Sequence, residues 1–75
     1  MNLNSVKLNT NCVVRFVNIE DEKTKIRLME LGLVDGTSVK VIKKSILKKT
    51  LLIVFSGTCF TLKDNLAKEI EVIYA

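Results

Sequence analysis

The chain has 75 residues, 12 of them basic and 8 acidic, and it contains no histidine, proline or tryptophan. That length holds one domain with a small core, and an apolar share of 48% excludes a disordered chain. The missing histidine removes the commonest general base and metal ligand, while a net charge of +4 selects no particular acidic partner.

A short polar lead-in carries Leu3, Val6 and Leu8 as apolar anchors and ends at a turn around Thr10-Asn11. Cys12 to Val17 reads as the first strand. Alternation sends Cys12, Val14 and Phe16 one way and Val13, Arg15 and Val17 the other. Asp21 and Glu22 suit the positive end of a helix dipole, and Lys23 to Leu31 is the helix. Ile26 and Met29 at one spacing, with Leu28 and Leu31 at another, predict a broad apolar face.

Gly32 falls where the helix needs a left-handed residue to stop, Leu33 is placed to fold back on its end, and Asp35-Gly36 is a turn dipeptide. Thr37 to Lys44 is the second strand. Lys43-Lys44-Ser45-Ile46-Leu47-Lys48-Lys49 makes a basic connection, expected to be a solvated hairpin tip. Thr50 to Phe55 is the third strand, Ser56-Gly57-Thr58 a turn, and Cys59 to Leu62 the fourth strand. Lys63 to Lys68 is a helical turn with Leu66 and Ala67 inward. Glu69 to Tyr74 closes the chain, with Ile70 and Val72 inward and Glu69 and Glu71 outward. Five short strands with turn signals between them predict a mainly β chain folded as a small bent barrel, spanning residues 1–75 as one domain.

The residues carry no catalytic pattern. No Ser/His/Asp or Cys/His set can form. The adjacent Asp21 and Glu22 do not converge on one point, and Gly32, Gly36 and Gly57 do not have the spacing of a phosphate-binding loop. Cys12 and Cys59 match neither a disulfide framework nor a zinc spacing, so both are expected to be reduced, buried, small hydrophobes. No signal peptide or membrane-inserting segment is predicted, since the longest apolar run, Leu51 to Phe55, is far shorter than a span. The chain is therefore expected to be cytoplasmic, without a cofactor, a metal site or enzymatic activity.

Two features invite contacts. Lys43, Lys44, Lys48 and Lys49 form the one charge cluster; it has no interleaved aromatic residue, so nucleic acid is the lesser reading of it. The third strand is apolar on both faces. Either the helix covers its outer face, or Leu52 and Val54 remain open to a protein partner or a second copy of the chain.

In order and spacing, the chain resembles the FeoA family, the small cytosolic component of bacterial ferrous-iron uptake. The resemblance rests on Arg27-Leu28-x-Glu30-Leu31-Gly32-Leu33-x-x-Gly36-Thr37, followed by Val39-x-Val41, then Gly57-Thr58 with the apolar strand to Leu62, and Leu66-Ala67-x-x-Ile70-x-Val72. The chain departs from the family pattern at Asn9-Thr10-Asn11, where the family often has glycine, and at Ser45 to Lys49, where it often has proline. Asparagine keeps the first turn available, because it tolerates a left-handed backbone.

The resemblance implies an SH3-like barrel with one short helix between the first and second strands and a helical turn before the last. It implies a non-catalytic accessory or regulatory role and a partner, the cytosolic part of the membrane transporter FeoB. Arg27 and Glu30, with Leu52 and Val54, are then the candidate docking residues. With no helix-turn-helix ahead of the barrel, a complete iron-dependent repressor of the kind that shares this barrel is not expected. The alternative function is a small basic barrel that binds nucleic acid through the four lysines.

Overall fold

Runs of valine, isoleucine, leucine and threonine set the strands of the computed structural model, which describes residues 1–75. After a single 3-10 turn at Leu3–Ser5, the elements are β1 (Cys12–Val17), α1 (Glu22–Glu30), β2 (Ser38–Ser45), β3 (Thr50–Phe55), β4 (Thr58–Lys63), α2 (Asp64–Ala67) and β5 (Ile70–Tyr74). The strands make one antiparallel sheet in the order β4-β3-β2-β1-β5. One helix lies between the first two strands and a short one precedes the last, as expected. The predicted elements agree with these bounds to within one residue at most ends.

Fifteen residues are buried, and all are hydrophobic. β3 supplies Leu51, Ile53 and Phe55, β2 supplies Val39 and Val41, and β5 supplies Ile70 and Val72. Leu3 and Ala67 are also fully buried. Phe55 is the only aromatic residue among them, so aliphatic packing carries the core.

Two hairpins fix the register. Ser56 and Gly57 both have positive φ, at 48° and 71°, and they join Phe55 to its pairing partner Thr58. This is the primed two-residue turn whose twist suits adjoining strands. The β2–β3 hairpin closes instead through four residues, Ile46 to Lys49, with Lys49 left-handed at 54°. The Lys48 amide donates to Ser45 Oγ at 3.3 Å across that turn. Asn9 likewise has a φ of 59°, so the asparagine at the first turn does adopt the left-handed backbone expected of it.

Four expectations are corrected. Phe16 does not point inward with Cys12 and Val14; the β1–β5 register shifts between Val14 and Phe16, and the bulge turns Phe16 outward. Cys59 is exposed, because the even positions of edge strand β4, such as Leu62, face the core and Cys59 is on the other side. The broad helical face narrows to Leu28, the one buried residue of α1, and to Leu31 at the helix end, half-buried against the core, while Ile26 and Met29 are exposed. Leu8 is exposed too, leaving Leu3 as the buried anchor of the lead-in.

Candidate functional site

The helix end is a locally determined structure. The Leu33 amide donates to the Leu28 carbonyl at 2.9 Å and the Gly32 amide to the Met29 carbonyl at 3.0 Å. This crossed pair, with Gly32 at φ 110°, satisfies the last carbonyls of α1. Leu28 and Leu33, the two apolar residues of that motif, are both fully buried. A turn follows in which the Thr37 amide donates to the Val34 carbonyl at 3.0 Å, with Gly36 at φ 88°. The Gly36 amide donates to Val14 on β1, and the Val14 amide donates to Thr37. Thr37 Oγ1 donates to the Gly32 carbonyl at 2.9 Å and accepts from the Val34 amide at 3.1 Å.

These bonds put Leu33 into the core and leave Val34 and Asp35 beside the outward-turned Phe16. The result is a cleft of about 420 Å³ lined by Phe16, Val17, Lys25, Met29, Leu33, Val34 and Asp35. Three of its apolar walls are open to solvent: Phe16 is 43% exposed, Met29 47% and Val34 41%. Lys25 and Asp35 are its only charged groups. The cleft holds no nucleophile with an adjacent base. It can accept an apolar side chain of a partner, with a charge of each sign on the lining to orient it.

The residues singled out in the sequence do not converge on this cleft. Arg27 and Glu30 are exposed on α1 and make no ion pair or side-chain hydrogen bond, and neither lines the cleft. Leu52 and Val54 are half-buried on the outer face of β3. Leu52 lines a shallow groove with Lys43, Ser45, Lys48, Thr50 and Thr61. Val54 lines another, with Ile42 and Lys40 among its walls. No residue of α1 lines either groove, so the helix does not close over that face. Lys43, Lys44, Lys48 and Lys49 are all exposed around the β2–β3 turn; Lys44 Nζ donates to the Asn4 carbonyl at 3.0 Å.

Sequence reasoning missed Phe16, Met29 and Val34. Their signal was weak: alternation assigned Phe16 to the core, and helical spacing did the same for Met29. No three cysteine or carboxylate side chains come together in a metal-binding arrangement. The cysteines also differ in burial. The buried Cys12 thiol donates to the Thr10 carbonyl at 3.5 Å, and desolvation pushes its pKa up.

A family model described as the FeoA domain matches residues 1–74. The solution structure of a FeoA protein from Chlorobium tepidum is 31% identical with a TM-score of 0.89, covering 99% of this chain and 70% of that one. The zinc-complexed crystal structure of FeoA from Stenotrophomonas maltophilia is 32% identical with a TM-score of 0.82, covering 97% of this chain and 89% of that one. That protein is described as an SH3-domain protein put forward as a ferrous iron transport activating factor. A manganese-dependent transcriptional repressor shares the fold at 14% identity, with a TM-score of 0.87 over 36% of its length. No curated protein matches the chain. The five-stranded SH3-like fold, the helix-stop motif and a family match over nearly every residue agree: the chain belongs to the FeoA family.

Proposed function

We propose that this chain is a non-catalytic accessory module of ferrous-iron uptake that docks, on the cytoplasmic side, on a FeoB-type membrane transporter. Family membership supports the pathway, and so does the description of the Stenotrophomonas relative as a transport activating factor. The observation that carries the docking is the open apolar cleft between β1, α1 and the loop after α1. Phe16, Met29 and Val34 spend apolar area on solvent there, and a partner side chain would cover it. Arg27 and Glu30, on the same helix as Met29, supply charged groups for orientation. Leu52 and Val54 are a second, flatter contact on the outer face of β3.

The test is a titration of the isotope-labelled chain with the cytosolic region of the cognate transporter. Binding to intact transporter in nanodiscs of neutral phosphatidylcholine is measured in parallel. Shifts are expected on Phe16, Met29 and Val34, extending to Arg27 and Glu30, and Met29→Glu is expected to weaken binding by roughly tenfold or more. Shifts confined to Leu52 and Val54 would move the site to β3. The absence of binding to both the fragment and the intact transporter would overturn the reading.

A further inference from the structure

Ile46 and Leu47 stand apart from every other apolar residue. They are 84% and 97% exposed, whereas each of the remaining exposed large hydrophobic side chains keeps at least half of its surface covered. They occupy the first two positions of the four-residue β2–β3 turn, beyond the last paired residues, Ser45 and Thr50. Lysines surround them. From Lys43 to Asp64 the sequence holds Lys43, Lys44, Lys48, Lys49 and Lys63, and Asp64 is its single carboxylate. β3–β4 pairing sets Lys63 beside Thr50 at the base of the same turn. All five lysines are exposed, and only Lys44 has its ammonium group engaged within the chain.

We propose that this hairpin tip binds the surface of a membrane rich in anionic phospholipid, with Ile46 and Leu47 entering the boundary between headgroups and acyl chains. The lysines meet the lipid phosphates. The shape favours a lipid surface over a protein. The apolar pair lies at the end of a tight turn, and the grooves behind it are lined by lysine, serine, threonine, aspartate and asparagine, with Leu52 the only apolar contributor. A protein partner would have to provide a deep pocket for a protruding point. A bilayer interface yields to one, and the ammonium groups on long stems then lie at phosphate depth. Nucleic acid is the poorer match, because the turn offers aliphatic side chains where base stacking needs aromatic ones. The contact is superficial, so it does not conflict with a chain in which no helix is long and apolar enough to cross a membrane.

The test is sedimentation of the full 75-residue chain with vesicles of phosphatidylcholine alone, and with vesicles of phosphatidylcholine and phosphatidylglycerol in a three-to-one mixture. Binding is expected to the mixed vesicles and not to the neutral ones. An I46S/L47S variant is expected to bind the mixed vesicles at least ~10-fold more weakly. Each lysine near such a surface contributes about fivefold, so K43Q/K48Q is expected to lose roughly 25-fold. The chain has no tryptophan; a single Leu47→Trp reporter is therefore unambiguous, and its emission is expected to shift to the blue on mixed vesicles alone.

No sedimentation with mixed vesicles would overturn the proposal. So would an I46S/L47S variant that binds as well as the unaltered chain, or unshifted emission from the reporter. Loss of transporter binding by I46S/L47S in lipid-free detergent, with vesicle binding unchanged, would assign the tip to a protein instead. The vesicles contain no transporter, so failure here leaves the docking reading untouched.

Discussion

A Cβ added at Gly32 would stand 2.8 Å from Ser56 Oγ and 3.0 Å from Ser56 Cβ. The end of α1 and the β3–β4 turn therefore meet at a contact that only glycine permits. Ser56 Oγ also approaches the Gly32 carbonyl at 3.5 Å. Residues 24 apart in sequence thus share one constraint, which ties the helix stop to the β3–β4 turn.

Gly32→Ala is accordingly expected to cost more than Gly36→Ala. Both positions have positive φ, worth about 1–2 kcal/mol against alanine. A Cβ on Gly36 would meet nothing within 4 Å, whereas one on Gly32 meets Ser56. In the Gly32→Ala background, Ser56→Gly is expected to restore the steric part of the loss, since φ 48° suits glycine. Urea unfolding of Gly36→Ala and of the four chains in the Gly32→Ala/Ser56→Gly double-mutant cycle measures this. Equal losses for the two glycine variants would show that backbone strain alone matters.

Thr37 is the polar counterpart of that contact. Its hydroxyl donates to Gly32 and accepts from Val34, holding the helix stop and the following turn together. Thr37→Ala is expected to destabilise by about 1–2 kcal/mol, because it removes two hydrogen bonds, one to the part-buried Gly32 carbonyl and one from the exposed Val34 amide. Thr37→Ser, which keeps the hydroxyl, is expected to cost less than half as much. If serine and alanine were equally poor, the methyl group would be the important part.

Much of this arrangement was legible in the sequence, and the reason is local. Gly32, Leu33, Gly36 and Thr37 act within ten residues of one another, and their chemistry reads without knowledge of the rest. The strands were legible because β-branched runs and turn residues alternate clearly. What escaped depends on pairing between distant strands. The bulge between Val14 and Phe16 is set by β5, and it reverses the side of a residue that simple alternation placed inside. A second bulge between Val41 and Lys43 leaves Lys43 and Lys44 both exposed in succession. On α1, spacing showed which residues could face the sheet but not that the core receives Leu28 and part of Leu31 while Ile26 and Met29 stay outside. The Ile46-Leu47 pair was visible between two pairs of lysines; its exposure follows from the turn that carries it past the last rung of the β2–β3 ladder.

The exposure of the cleft walls has a consequence for stability. Met29→Ser and Phe16→Ser remove side chains that are already nearly half in water, so each is expected to cost about 1–1.5 kcal/mol. Leu33→Ala, one residue deeper, removes a fully buried side chain and is expected to cost about 2–5 kcal/mol. Thermal unfolding checks the contrast; a loss of 1 kcal/mol lowers the Tm of a domain this size by roughly 4–8 °C. A Met29→Ser variant as unstable as Leu33→Ala would place Met29 in the core and remove the cleft as a free surface.

Of the two cysteines only Cys12 is buried, and its burial makes stability depend on pH. Exposed Cys59 is expected to react with a thiol reagent in the native chain, and buried Cys12 only after unfolding. Burial raises the native pKa of Cys12, so the folded chain holds this proton when the unfolded chain has already released it. The contribution of the protonated thiol is fully present below the unfolded thiol's pKa, about 8.5. It is lost as pH rises from there through the higher native value, with a slope of no more than about 1.4 kcal/mol per pH unit. A Cys12→Ala chain lacks this titration. The stability difference between the unaltered chain and Cys12→Ala is therefore expected to be constant from pH 6 to about pH 8 and to shift against the unaltered chain above that. Urea unfolding of both chains across this range measures it, and a difference that stays flat to pH 10 would mean that the thiol ionises as readily inside the fold as outside it.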